Sequence, residues 1–202
     1  MSPSLNDVEW PVRSLRLVIR PAVPADADTT WQFRRLTSVA RWMTNYSSHL
    51  EEYRKQFEDP TRLIKTLVIE LDSVVIGDLM LTIEDGGAQA EVKDQARCVQ
   101  AELGWCLSPE HGGHGYATEA VTQLIRICFE DLGLRRVRAD CFADNEPSWR
   151  LMKRVHMRRE QHTIRESLHR SGEWLDVLGY ALLAEEWAGG PEKSVGAETN
   201  AQ

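Results

Sequence analysis

The fold and the chemistry of this chain are indicated most clearly by one stretch of its sequence, His111-Gly112-Gly113-His114-Gly115-Tyr116-Ala117-Thr118-Glu119. It follows an apolar run and opens a segment of helical periodicity. Its three glycines let the backbone approach a ligand closely and turn N–H groups toward it. A helix that begins here adds a partial positive charge at its first turn. Together these features predict a phosphate or pyrophosphate site, although the same glycines also suit a tight turn without a ligand.

Other ligand motifs fit this stretch less well. No Gly-Lys-Ser/Thr follows it, so it is not a P-loop. The last glycine of the dinucleotide-binding pattern is Thr118 here, and the stretch lies mid-chain rather than in an opening βαβ unit. His111 and His114 have the spacing of metal ligands, but no third histidine lies near them in the sequence, so no metal is predicted.

Hydrophobic periodicity around this stretch predicts an α/β domain. Apolar residues recur at helical spacing from Ala117 to Leu132, and Gly133 is a suitable helix end. Strands are predicted at 15–20, 67–71, 74–83, 101–107, 136–142, 157–168 and 174–182. Helices are predicted from Pro24 to Val39, near 49–57 and from Pro147, and residues 86–97 are predicted as a polar loop. The order predicts a single sheet with helices on its faces.

Composition limits the class of protein. The 202 residues are 42% hydrophobic and 27% charged, with a formal charge of -7. This composition is globular and acidic, so nucleic acid is not a predicted partner. No run approaches the roughly 20 apolar residues of a membrane span, and the first ten residues do not resemble a secretory signal, so we expect a cytoplasmic protein. Residues 14–187 are predicted as one domain, 1–13 as a loose lead-in and 188–202 as a flexible tail.

Several ordered motifs resemble the GNAT superfamily of acetyltransferases. Ala101-Glu102-Leu103-Gly104-Trp105 and Gly113-His114-Gly115-Tyr116-Ala117-Thr118-Glu119-Ala120 are similar to its acetyl-CoA motif. The segments Asn145–Arg154 and Gly172–Tyr180 resemble the RimJ/RimL-type branch. The likeness spans roughly 14–187. It implies a single mixed, mostly antiparallel sheet with helices on both faces, in which the neighbouring parallel strands Ala101–Leu107 and Arg136–Phe142 splay apart.

The resemblance also implies how acetyl-CoA, the expected co-substrate, is held. Its pantetheine arm would lie between the splayed strands and its pyrophosphate on the amides of the glycine-rich stretch. The implied cofactor contacts are Trp105, Cys106, Leu107, Gly112, Gly113, His114, Gly115, Tyr116, Ala117, Thr118, Asn145, Ser148, Arg150 and Lys153. Arg150, Lys153 and Arg154 would meet the phosphates, and a solvated helix face is the alternative for these three.

Two side chains are the catalytic candidates for direct attack of an amine on the thioester. Glu102 is the predicted base, acting directly or through a water, and the alternative is a strand-surface glutamate. Ser148 matches the Asn-x-x-Ser serine of the branch and would protonate the leaving thiolate, unless it only caps its helix. Many other branches have a tyrosine where Met152 stands, which favours Ser148 or a water. Cys141 as a nucleophile is the less favoured alternative.

The acceptor is an amine whose identity the sequence leaves open: a protein N-terminus, a lysine or a small amine. Its pocket is predicted from residues 24–58, 84–99 and 169–174, with Trp31, Trp42, Tyr46, Tyr53 and Trp174 as candidate lining residues. Two other functions remain open: a catalytically silent acyl-CoA sensor or scaffold, and a phosphate- or nucleotide-binding enzyme unrelated to CoA. The final hairpin offers edges for a homodimer.

Overall fold

Eight strands form one mixed sheet within residues 3–187, which are the residues that the structure, a computed structural model, describes. The strands are β1 Val12–Arg13, β2 Val18–Pro21, β3 Thr66–Leu71, β4 Val74–Glu84, β5 Gln100–Leu107, β6 Arg136–Phe142, β7 Arg158–Leu168 and β8 Trp174–Leu183. Their order is β1-β2-β3-β4-β5-β6-β8-β7, and only β5 and β6 run parallel. The predicted single, mostly antiparallel sheet with one parallel pair is confirmed.

Helices cover both faces of this sheet, as predicted. They are α1 Ala27–Arg34, α2 Thr37–Ala40, α3 Leu50–Phe57, α4 Pro60–Leu63, α5 Tyr116–Arg126 and α6 Glu146–Arg154. Successive side chains of a strand point to opposite faces. On β3, Leu67 and Ile69 belong to the large core with α5 and α6, whereas Val68 packs with Tyr53 and Phe57 of α3. Two separate apolar layers therefore hold the sheet between them.

The parallel pair separates partway along its length. β5 and β6 pair only at Gln100–Glu102 with Arg136–Arg138, whereas β5 stays paired with β4 to Leu107 and β6 with β8 to Phe142. Beyond Glu102, the facing edges of β5 and β6 therefore have no strand partner. This confirms the predicted splay and leaves main-chain hydrogen-bonding groups without a strand partner in the middle of a sheet.

The amino-terminal segment is packed, so the prediction of a loose lead-in is wrong. Leu5, Val8 and Val12 are buried in the large core, and Val12–Arg13 pairs with β2. Three apolar side chains spaced through a polar segment are enough to hold it against the core, and the sequence pattern did not reveal this. The predicted tail, residues 188–202, lies outside the described residues.

Three other local predictions differ from the structure. Leu15 is 92% exposed and lies before β2, because the Ser14 N–H donates to the Leu17 carbonyl and turns the chain. The single helix predicted from Pro24 to Val39 is broken at Leu36, whose backbone is extended. Residues 90–96 of the predicted loop form a 3-10 helix.

The helix after the glycine-rich stretch matches its prediction closely. α5 is followed by a π-helical turn at Ile127–Asp131, and Gly133 then adopts a φ of 64°. A left-handed glycine is a common helix end. No helix within residues 3–187 is both long and apolar enough to cross a bilayer.

Candidate active site

A cavity of about 1550 Å³ occupies the gap between β5 and β6. On one side it is bordered by the residues that we call the glycine turn, Gly112–Thr118. On the other side it opens onto the face of β5 that carries Glu102, Gly104 and Cys106, and we call this part the α1 chamber because Arg34 of α1 lines it. The splayed strands therefore connect an anion-binding turn to a chamber on the opposite side of the sheet.

The glycine turn has the backbone geometry of an anion site. Gly113 and Gly115 have φ of 80° and 81°, in the left-handed region that favours glycine. The Gly112 N–H donates to the Pro109 carbonyl at 3.0 Å, and the next N–H with a backbone acceptor is that of Glu119, just after the turn, which donates to the Gly115 carbonyl at 3.0 Å. The amides before it lie at the start of α5, where helix N–H groups have no acceptor within the helix. The turn therefore fits a phosphate or pyrophosphate.

Arg16 holds this turn in place from a distant part of the chain. Its Nε donates to Glu119 Oε2 at 2.7 Å, and its Nη1 donates to the His114 carbonyl at 3.0 Å. The guanidinium also lies 4.5 Å from the centroid of the Tyr116 ring. Burial raises the pKa of Glu119, but hydrogen bonds from Ser14 and Arg16 outweigh it and hold the pKa below its usual range. Arg16 is thus a positioning residue that the motif did not reveal.

Replacing Arg16 is expected to weaken the binding of acetyl-CoA, the predicted co-substrate, and to leave the binding of the acceptor unchanged. Arg16→Gln removes hydrogen bonds to a charged group, and such bonds contribute roughly 1.5–3 kcal/mol. We expect the Kd for acetyl-CoA, measured by calorimetry, to rise at least about tenfold. Arg13→Gln, at an exposed arginine on β1, is the matched control and should bind normally. An unchanged Kd in Arg16→Gln would show that the turn needs no support from Arg16.

Ser148 and Cys141 lie together at the wall of the gap that β6 and α6 form, opposite β5. Both line the cavity, where Ser148 is the third residue of α6 and Cys141 lies near the end of β6. Burial raises the pKa of the Cys141 thiol to about 11, although a hydrogen bond from Ser148 opposes this. Cys141 is therefore a neutral thiol near pH 7, and this disfavours it as a nucleophile. Asn145 precedes α6 and also lines the cavity.

Glu102 belongs to a group of three carboxylates around one guanidinium, which we call the acidic cluster. Arg138 donates to Glu84 at 3.1 Å, to Glu102 at 3.3 Å and to Asp140 at 2.6 Å. Burial raises the pKa of Glu102, and the negative charges of Glu84 and Asp140 add to this effect, whereas Arg138 opposes it. A carboxylate whose pKa lies above its usual range, at the edge of a cavity, is suited to accept a proton.

The structure brings most, but not all, of the predicted cofactor contacts to the cavity. Those that line it are Trp105, Cys106, Leu107, Gly112, Gly113, Gly115, Tyr116, Ala117, Thr118, Asn145 and Ser148. His114 instead stacks on Tyr116 at 5.6 Å. Arg150 and Lys153 lie over the partly buried Trp149, because helical spacing places them away from the gap. Arg154 reaches the cavity and donates to Thr118 Oγ1 at 3.3 Å.

The predicted acceptor pocket needs a larger correction. Of the predicted segment 24–58, Trp42, Arg34 and Met43 are among the residues that line the cavity. The predicted aromatic residues Trp31, Tyr46, Tyr53 and Trp174 do not line it, nor do residues 84–99 and 169–174. The chamber is instead lined by charged side chains that the sequence reading did not single out, including the ion pair of Arg34 with Asp78. No local signal marks this pair, because its members are 44 positions apart in the sequence. Among residues 3–187, no three His, Cys, Asp or Glu side chains form a metal-binding group.

Residues 16–158 match the acetyltransferase (GNAT) domain family. The chain is 29% identical over 178 residues to the uncharacterized N-acetyltransferase p20 of Bacillus licheniformis, covering 86% of this chain and 96% of that protein. It is 38% identical over 86 residues to the uncharacterized N-acetyltransferase YnaD of Bacillus subtilis, a match that spans 43% of this chain and half of that protein. The predicted family resemblance is confirmed.

A solved structure has the same fold. RimJ of Mycobacterium smegmatis, in complex with CoA-disulfide, superposes with a TM-score of 0.72 at 24% identity. The match covers 93% of this chain and 92% of that one.

Proposed function

The chain belongs to the GNAT acetyltransferase family, and on that premise we propose that it transfers an acetyl group from acetyl-CoA to a primary amine. One observation carries the proposal. A single cavity passes through the β5–β6 gap and joins the glycine turn on one side to Glu102 on the other. A donor held at the turn and an acceptor held beside Glu102 would therefore meet inside the gap.

The residues of the gap fit acetyl-CoA as a co-substrate. The amides of the glycine turn would take the pyrophosphate, since an anion is stabilised at a helix N-terminus. The unpaired edge of β5 between Leu103 and Leu107 would take the amide groups of the pantetheine arm, because each has donors and acceptors that need partners. Arg154 and Asn145 line the cavity nearby and would complete the contacts. The thioester supplies the activated acyl group.

The proposed chemistry is direct transfer in a ternary complex. The amine nitrogen attacks the thioester carbonyl carbon, the new C–N bond forms and the C–S bond breaks. Glu102 takes one proton from the ammonium group, directly or through a water, before the attack. After the attack, the Ser148 hydroxyl donates a proton to the departing sulfur and regains one from the nitrogen, so both protons are accounted for. Holding both reactants in one gap supplies the orientation on which such a reaction depends.

The charge near Glu102 favours an amine as the acceptor. The acidic cluster sets three carboxylates against one guanidinium, so this end of the α1 chamber has an excess of negative charge. An ammonium group is attracted to such a site and can then lose its proton to Glu102. We propose a protein N-terminus, a lysine or a small amine as the acceptor.

A release assay with a panel of amines tests this function. Acetyl-CoA is mixed with the protein and peptides, diamines or amino acids, and free thiol is measured together with the mass of the acetylated product. We expect amine-dependent thiol release matched by a mass gain of one acetyl group. A silent CoA-binding module is the alternative, because the buried Met152 has no proton to donate, whereas many other branches of the family have a tyrosine at this position. CoA binding without release across the panel would favour that alternative.

A further inference from the structure

Two guanidinium groups, those of Arg34 and Arg62, lie at the wall of the α1 chamber, and only Arg34 is paired with a carboxylate. Arg34 binds Asp78 through two hydrogen bonds, of which the Nε–Oδ2 bond is 2.6 Å. Asp78 is only 2% exposed. Arg62 lies beside this pair, partly buried, with its guanidinium carbon 5.3 Å from the Tyr53 ring centroid and 5.5 Å from that of Phe57.

This wall has an excess of positive charge. Within residues 3–187, Arg62 and Lys65 have no carboxylate within ion-pair distance, and both line the cavity. Burial lowers the pKa of Arg62, and the like charge of Arg34 lowers it further. The faces of the two aromatic rings stabilise a cation only partly. A partly desolvated charge of this kind is stabilised when an anion joins it.

Building on the transferase function proposed above, we propose that this wall binds a carboxylate of the acceptor. The acceptor is then a primary amine that also bears a carboxylate, with its amine at the acidic cluster and its carboxylate at Arg62. A planar guanidinium offers a pair of parallel donors to a carboxylate, which gives direction as well as affinity. Opposite charges at the two ends of the chamber fix the orientation in which the acceptor enters.

The acceptor has to reach from the acidic cluster to the part of the chamber that holds the Arg34–Asp78 pair and Arg62. Asp78 lies opposite Cys106, which is four residues beyond Glu102 on β5. Four residues of a strand span about 13 Å. An α-amino acid, which holds its amine and carboxylate about 3 Å apart, is therefore a poorer fit than a longer acceptor. A peptide N-terminus followed by an acidic residue holds the two groups farther apart, and so does a straight-chain ω-amino acid.

Matched pairs of amines test this site without requiring turnover. The protein saturated with CoA is titrated by calorimetry with Ser-Glu-Ala-amide and Ser-Gln-Ala-amide, and with 6-aminohexanoate and its amide. We expect the carboxylate member of at least one pair to bind about tenfold more tightly or better. A preference confined to the peptides identifies a peptide acceptor, and one confined to the ω-amino acid identifies a small molecule.

Substitutions at Arg62 test whether this wall of the α1 chamber causes the preference for the carboxylate member of a pair. Arg62→Gln should reduce it to less than about twofold, and Arg62→Lys, which keeps the charge, should retain part of it. Arg97→Gln, at an arginine whose side chain is 65% exposed, should leave it unchanged. CoA affinity should stay constant in all three, which also shows that they are folded.

Two results would overturn the anion site: no preference for the carboxylate in either pair, or a preference that survives in Arg62→Gln. The same amines are then assayed for thiol release from acetyl-CoA. If the carboxylate member binds more tightly but no thiol is released, the proposed anion site stands and the proposed transferase function is wrong. If thiol is released but the carboxylate member binds no more tightly, the transferase function stands and the proposed anion site is wrong.

Discussion

Gly115→Glu is expected to weaken acetyl-CoA binding by about 100-fold or more while the protein stays folded. Gly115 has a φ of 81°, and a Cβ at this position would lie 3.5 Å from Arg16 Nη2. The new side chain would enter the glycine turn, compete for Arg16 and place a negative charge where the pyrophosphate is proposed to bind. Calorimetric titration with acetyl-CoA measures the effect.

Gly133→Glu is the matched control for this variant. Gly133 also has a positive φ, of 64°, and a Cβ there would meet nothing within 4 Å. It follows α5 at the end away from the cavity. Both substitutions force a side chain into the left-handed region, which costs about 1–2 kcal/mol of stability. Only Gly115→Glu should lose CoA binding, and normal affinity in a folded Gly115→Glu protein would remove the glycine turn as the cofactor site.

Glu102→Gln should lower kcat by about 10²- to 10⁴-fold with little change in the Kd for acetyl-CoA, since an amide cannot accept the proton. The pH–rate profile gives a second readout. Burial raises the pKa of Glu102. Wild-type activity should therefore fall as the pH drops through a value above that of an ordinary glutamate, because the protonated carboxyl is no longer a base. The variant should lack this acid limb.

Glu84→Gln tests whether the charges around Glu102 set the pKa of this proposed base. Glu84 belongs to the same acidic cluster, and its negative charge helps to raise the pKa of Glu102. Removing that charge should move the acid limb to lower pH and retain kcat at its plateau. An acid limb that is the same in wild type and Glu102→Gln would mean that another group, or a water without Glu102, accepts the proton.

Local patterns were sufficient to predict most of the fold. Alternating apolar residues predicted the central strands, and helical spacing after Gly115 predicted α5. The motifs that resemble the family predicted the splayed parallel pair. The helix from Pro24 to Val39 was predicted wrongly, because the change to an extended backbone at Leu36 has no proline or glycine to mark it. The packed residues 3–13 were missed because three isolated apolar side chains form no period.

The parts of the site that sequence reasoning missed depend on long-range contacts. Arg16 reaches Glu119 across 103 positions, and Arg34 reaches Asp78 across 44. Neither arginine belongs to a motif, and an arginine in a turn or on a helix is ordinarily a surface residue. The side of the cavity proposed for the acceptor contains such a contact, the Arg34–Asp78 pair. The proposed cofactor side is built mainly from two motif segments, residues 101–118 and Asn145–Arg154, so most of its cavity-lining residues could be predicted, although His114, Arg150 and Lys153 do not line the cavity.

Calorimetric titration of the unmodified protein with acetyl-CoA, beside ATP and NAD as controls, tests the central claim most directly. In this proposal, the gap between β5 and β6 holds acetyl-CoA on the glycine turn. We predict micromolar binding of acetyl-CoA at one site per chain, with no heat from ATP or NAD. Binding of ATP or NAD with equal or higher affinity, or no binding of acetyl-CoA, would contradict it.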